Sequence, residues 1–131
     1  MQLAYATTLQ TTFDDAVART REALSEQGFG VLTEIDVTAT LKQKLDQDME
    51  NYLILGACNP PLAHGALDVD RQIGLLLPCN VVVRDDTATA GNVIVEAMNP
   101  DIMVTVTDAP GLRDVAAAAS EKLQAAIAAL S

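Results

Sequence analysis

Apolar and polar positions change period several times along the chain, and each change marks an element. Leu3, Tyr5, Thr7 and Leu9 alternate with small residues, the spacing of a half-buried strand. The pattern then turns helical in "TTFDDAVARTREALSEQGFG". Phe13, Ala16, Val17, Thr20 and Leu24 share a face, Thr12 is the expected N-cap with Asp15 as its capping-box partner, and Gly28 is the stop. Alternation returns in "FGVLTEIDV", with Phe29, Val31, Thr33, Ile35 and Val37 on one face and Leu32, Glu34 and Asp36 on the other. "TATLKQKL" predicts a short helix capped by Thr38 or Thr40.

"NYLILGAC" is apolar almost throughout, as in a central strand covered on both faces. Asn59-Pro60-Pro61 stops it and opens another short helix, because proline fits a first turn and not a ladder. "LLLPCNVVVRDD" and "GNVIVEAM" flank a polar turn from Asp85 to Gly91, a hairpin pattern. Pro78 predicts an edge or a bulge at its end of the first run. Leu112, Val115, Ala116, Ala119, Leu123, Ala126, Ile127 and Leu130 trace one stripe of a long final helix entered at Pro110 and Gly111. The order β-α-β-α-β-α-β-β-α predicts a single α+β domain over residues 1–131, its sheet mixed but mainly antiparallel, with the long helices packed on one face.

Composition sharpens this picture. Half the residues are apolar but aromatics make up only 3%, so the core must be aliphatic. Eight basic side chains against eighteen acidic ones leave a net charge of −10. That field repels a phosphate backbone and an anionic membrane surface, so neither nucleic acid nor membrane is an expected partner. The start lacks a basic, apolar leader, and the longest apolar run falls short of the roughly twenty residues a spanning helix needs. A cytoplasmic location with two reduced cysteines is the expectation.

The chemistry-bearing residues concentrate in "LGACNPPLAHGAL" and "LLPCNVVV". These hold both cysteines, Cys58 and Cys79, the only histidine, His64, and two asparagines that each follow a cysteine, Asn59 and Asn80. Cys58 lies where a strand meets a helix start, a place that stabilises a thiolate. Two thiols and an imidazole form a three-point set for zinc or a softer metal, although no Cys-x-x-Cys spacing supports it. If Asn59 is the N-cap, Cys58 stands over Ala63 and His64 turns away; if Pro61 is the first helical residue, Asn59 stands over His64. Asn59 has a ready role as a cap, whereas Asn80, before a β-branched run, is expected to be a buried amide in need of partners. Glu34 and Asp36 read as a solvated edge rather than a carboxylate pair. No phosphate loop, nucleophile elbow or zinc-protease helix is present.

Together "GFGVLTEIDV", "LKQKL", "YLILGACNPPLAH" and "GLLLPCNVVV" resemble the bacterial and archaeal domain-of-unknown-function family 302, over Tyr5 to about Met98. The resemblance implies a small α+β fold related in shape to the TATA-binding-protein class and a homodimer, with Cys58, Asn59, His64, Cys79 and Asn80 as the family's polar and thiol positions. It implies no activity, and fold alone carries none. Three functions fit these residues. The first is a homodimeric binding module whose thiol and imidazole pocket takes a soft metal or a small ligand, with Asn59 and Asn80 orienting the groups. The second is a thiol enzyme with Cys58 as nucleophile and His64 as base. The third is an interaction domain whose cysteines merely fill the core.

Overall fold

The computed structural model describes residues 1–131. Five strands form one antiparallel sheet: β1 (Ala4–Gln10), β2 (Gly30–Asp36), β3 (Tyr52–Cys58), β4 (Cys79–Asp85) and β5 (Asn92–Met98). Their spatial order is β1-β5-β4-β3-β2, so β4 lies at the centre and β1 and β2 are the edges. Five helices accompany them: α1 (Phe13–Glu26), α2 (Val37–Leu45), α3 (Pro60–Val69), α4 (Asp101–Thr107) and α5 (Arg113–Leu130). No helix is long and apolar enough to cross a membrane.

Alternation along the strands sends Leu53, Leu55 and Ala57 of β3 to the same side as Cys79, Val81 and Val83 of β4 and Val93, Val95 and Ala97 of β5. All nine are buried, and all but Cys79 join one core with Ala16, Ala23 and Leu24 of α1 and Leu123, Ala126, Ile127 and Leu130 of α5. The long helices do pack on one face, as the α+β reading expects. The opposite face carries Tyr52, Ile54, Val82, Arg84, Ile94, Glu96 and Met98, all half-buried, without a long helix over them. A second, smaller core of Ala66, Ile73, Met103, Leu112 and Ala116 joins α3, α4 and the start of α5.

Local chemistry explains most boundaries. The Asp15 N–H donates to Thr12 Oγ1 at 3.2 Å, so α1 starts on the predicted cap. α2 departs from expectation. The strand ends at Asp36, whose Oδ1 accepts from the Ala39 N–H at 2.9 Å, and Val37 is already helical. Thr38 and Thr40 are inside the helix, with Thr38 Oγ1 donating to the Glu50 carbonyl. β2 also breaks its alternation through a register shift between Val31 and Thr33, and Leu32 to Asp36 are all exposed.

Pro78 marks neither an edge nor a bulge. It immediately precedes the central strand, where the missing N–H costs no ladder bond, and the apolar residues before it form a 3-10 turn from Arg71 to Leu76. The unexpected helix is α4. "DIMVTVT" is rich in β-branched residues, yet Asn99 Oδ1 accepts from the Asp101 N–H at 3.0 Å and holds the turn that starts it.

Candidate functional site: a cavity between two cores

Where the ends of β3 and β4 meet α3 and α5, packing leaves a gap of about 20 Å³, room for a single water-sized group. Its walls are almost wholly apolar and include Phe29, Leu62, Ala63, Leu77, Met103 and Val115. Both cysteines line it. The gap lies between the larger core under the sheet and the smaller one around α3 and α4, two packings that do not quite close on each other.

Cys79 faces inward from the first position of β4, opposite Ala57, and is buried. Burial pushes its thiol up to about 11, and the nearby Cys58 adds to the shift. Cys79 is therefore a neutral thiol at physiological pH. Cys58 is one position out of phase, at the last residue of β3, and is half-buried at the rim. The two sulfur-bearing residues thus share one cavity, the outer one reachable from solvent and the inner one sealed.

Asn59 also lines this cavity and is buried, but its amide is committed. Oδ1 accepts from the Leu62 N–H at 3.3 Å, the N-cap bond of α3. Nδ2 donates to the Gln27 carbonyl at 3.4 Å. Asn59 thus ties the start of α3 to the end of α1. It closes on Gly28, whose φ of +81° suits glycine, and whose missing Cβ would stand 3.0 Å from Asn59 Nδ2.

The remaining expected members are elsewhere. With Asn59 as the cap, the first of the two helix phases is the one adopted, and His64 turns outward. Its side chain is 79% exposed, 3.7 Å from Asp68 across an i,i+4 pair, and does not line the cavity. The three-point thiol and imidazole set is therefore not assembled, and no group of three or more His, Cys, Asp or Glu side chains is placed to hold a metal ion. Asn80 is corrected too. It is exposed, opposite Gly56 on the uncovered sheet face, so it needs no buried partners and orients nothing in the cavity. Glu34 pairs with Arg21 and Asp36 caps α2, which accounts for both carboxylates.

A polar cluster passed unnoticed in the sequence. Tyr5 Oη donates to Asn99 Oδ1 at 3.0 Å and also bonds Ser120 Oγ, which accepts from Gln124 Nε2 at 3.0 Å. Asn99 Nδ2 reaches the Gln2 carbonyl at 2.8 Å. These bonds join β1, the end of β5 and α5, and no buried side-chain polar atom is left without a partner. The cluster fastens; it presents no free group to a substrate. Asn99-Pro100, directly after an apolar run, was the signal for it.

The family model for the domain of unknown function DUF302 matches residues 5–130 of this chain. A crystal structure of an uncharacterized conserved DUF302 protein from Bacillus stearothermophilus is similar throughout, at 27% identity, with a TM-score of 0.91 and coverage of 100% of both chains. None of the curated proteins matches the chain.

Proposed function

The chain belongs to the family of the domain of unknown function DUF302, and on that footing we propose that it is a binding module whose ligand site is the cavity lined by Cys58 and Cys79. The carrying observation is that the only two thiols, from strand ends twenty-one residues apart, line one small apolar cavity. Cys58, at the rim, is the entry ligand, and Cys79 is the inner one. The cavity admits a single heavy atom or a small group, and its walls offer soft sulfur and hydrocarbon. That chemistry suits a soft, two-coordinate metal ion or a small thiol-seeking molecule better than zinc, which would want His64 and one further donor. The inner thiol must lose its proton to a metal, so affinity rises with pH.

Silver(I), titrated as the probe ion, is expected to bind at one equivalent per chain and to raise the melting temperature. Cys58→Ser removes the effect, and Cys79→Ser weakens it. A wild-type protein that takes up no stoichiometric silver, or a Cys58→Ser variant that binds it equally well, refutes the reading. The enzymatic reading lacks its base, because the exposed His64 stands apart from the cavity.

A further inference from the structure

We propose that Met103 is a third ligand in the cavity of Cys58 and Cys79, and that the ion taken by this three-sulfur set is copper(I). The inference rests on the reading of the cavity as a thiol ligand site and names what that site selects. Met103 comes from α4, is buried, and belongs both to the smaller core and to the cavity wall. Thioethers stand outside the His, Cys, Asp and Glu set that the chain fails to assemble around a metal. The chain has two Cys and four Met, and three of these sulfur-bearing residues border one gap, brought there by β3, β4 and α4. The others are scattered: Met1 is exposed, Met49 lies between α2 and β3, and Met98 is on the open face of the sheet.

The chemistry of the walls narrows the ion. A gap of about 20 Å³ holds one ion without a water shell, so its donors have to come from the walls. Asn59, the one amide there, is committed to Leu62 and Gln27. Sulfur is what remains. Copper(I) is soft, accepts thiolate and thioether alike, and is complete with three such donors. Zinc wants a tetrahedron, and the cavity has no fourth side-chain donor to close one. Charge agrees with this choice. As three Cu–S bonds form, the two thiols release two protons to solvent, and the copper stays monovalent. The site then carries one negative charge beside the positive start of α3 at Asn59, and the neutral thioether adds none, where a third thiolate would bury a second.

Such an ion spans the two cores. Cys58 and Cys79 stand at strand ends of the sheet, whereas Met103 packs with Ala66, Ile73, Leu112 and Ala116. α4 has only seven residues and depends on its packing to stay helical. An ion held by all three sulfurs therefore fastens α4 to the sheet, across a seam that hydrocarbon packing alone leaves open.

Copper(I), supplied without oxygen as its bathocuproine disulfonate complex, tests the assignment in the wild type and in Met103→Leu. Leucine nearly conserves the volume of methionine, so the variant is expected to fold, which its melting temperature without metal checks. The wild type is expected to take one equivalent, with three sulfur neighbours at the copper X-ray absorption edge. Met103→Leu is expected to show two and to bind copper(I) about tenfold more weakly. Met98→Leu, which removes a sulfur from the open face, leaves both results unchanged. Selenomethionine labelling supplies a readout that needs no variant: the selenium edge gains a copper neighbour when the metal is added. Hydrogen exchange supplies another, as copper protects the α4 amides in the wild type and not in Met103→Leu. Silver(I) separates this assignment from the reading beneath it. A linear ion needs only the two thiolates, so Met103→Leu keeps its one equivalent of silver. A wild type with two sulfur neighbours, a selenium edge without copper, or an unchanged copper affinity in Met103→Leu overturns the role of Met103 and leaves the thiol site standing. A wild type that takes silver and no copper(I) overturns the choice of ion, and one that takes neither removes both proposals.

Discussion

The two faces of the sheet are made from alternate residues of the same strands and live under different physics. Towards α1 and α5, Leu55, Val81, Val83 and Val95 have no exposure, and each touches neighbours from sheet and helix at once. One residue away, Ile54, Val82 and Ile94 are half-buried and belong to neither buried core. The closed face is hydrocarbon across β3, β4 and β5 apart from one neutral thiol, Cys79, and the hydroxyls of Tyr5, Thr20 and Ser120 are all hydrogen-bonded within the layer. The open face accommodates a salt bridge, Arg84 to Glu96, in the middle of its apolar residues. Period two therefore sorts residues into those that hold the fold together and those left free for other work.

The largest contrast is expected from truncating neighbours on opposite faces. Leu55→Ala opens a hole in the larger core and is expected to cost about 2–5 kcal/mol, whereas Val82→Ala should cost under about 1 kcal/mol, by urea denaturation. Equal costs would mean that something does cover the open face.

Alkaline titration comes next. Cys79 has a folded pKa of about 11 against an ordinary value of 9.0, so folding favours its protonated form. Its contribution is intact below pH 9, declines from pH 9 to 11 as the unfolded chain ionises first, and is gone above that. The loss is about 3 kcal/mol at most. Cys79→Val should flatten this part of the stability curve, while Cys58→Val, which removes only the smaller cause of the shift, should leave most of it in place.

Asn59 stands at the joint of the two cores, and Asn59→Ala removes both the α3 cap and the tie to Gln27. A cost of about 1–2 kcal/mol is expected, with local hydrogen exchange rising first at the end of α1 and the start of α3. If only α3 loosens, the tie to Gln27 contributes nothing.

How much of this was legible follows from the range of the forces involved. The Thr12 cap, the continuous apolar run of β3, the β4–β5 hairpin and the α5 stripe are local signals, and each proved where it was expected. The single α+β layer with helices on one face follows from them. α4 was missed because its β-branched residues favour strand, and the helix depends on Asn99, which is itself held by the distant Tyr5. The β2 bulge was missed because it is a matter of register with β3. In the site, the meeting of Cys58 and Cys79 was legible from two strand ends, but the side of α3 occupied by His64 turned on one residue of helix phase. Asn59 settled that phase by capping. Asn80 was misjudged because a polar residue between apolar ones signals alternation, and only the helix layer says which face is dry.

The smallest effect concerns the salt bridge on the open face, and it bears most directly on what that face is for. Arg84 Nε donates to Glu96 Oε1 at 2.8 Å across neighbouring strands, and the bond to Glu96 holds the guanidinium more firmly protonated than usual. Both side chains keep about a third of their surface, 29% and 32%, so water competes for the pair. A double-mutant cycle with Arg84→Met and Glu96→Gln is expected to return a coupling of about 0.2–1 kcal/mol that shrinks as salt is added. A coupling several times larger and indifferent to salt would mean that the pair is dry. The open face would then have a cover in solution, and the contrast between the two sides of the sheet would be one of partner rather than of kind.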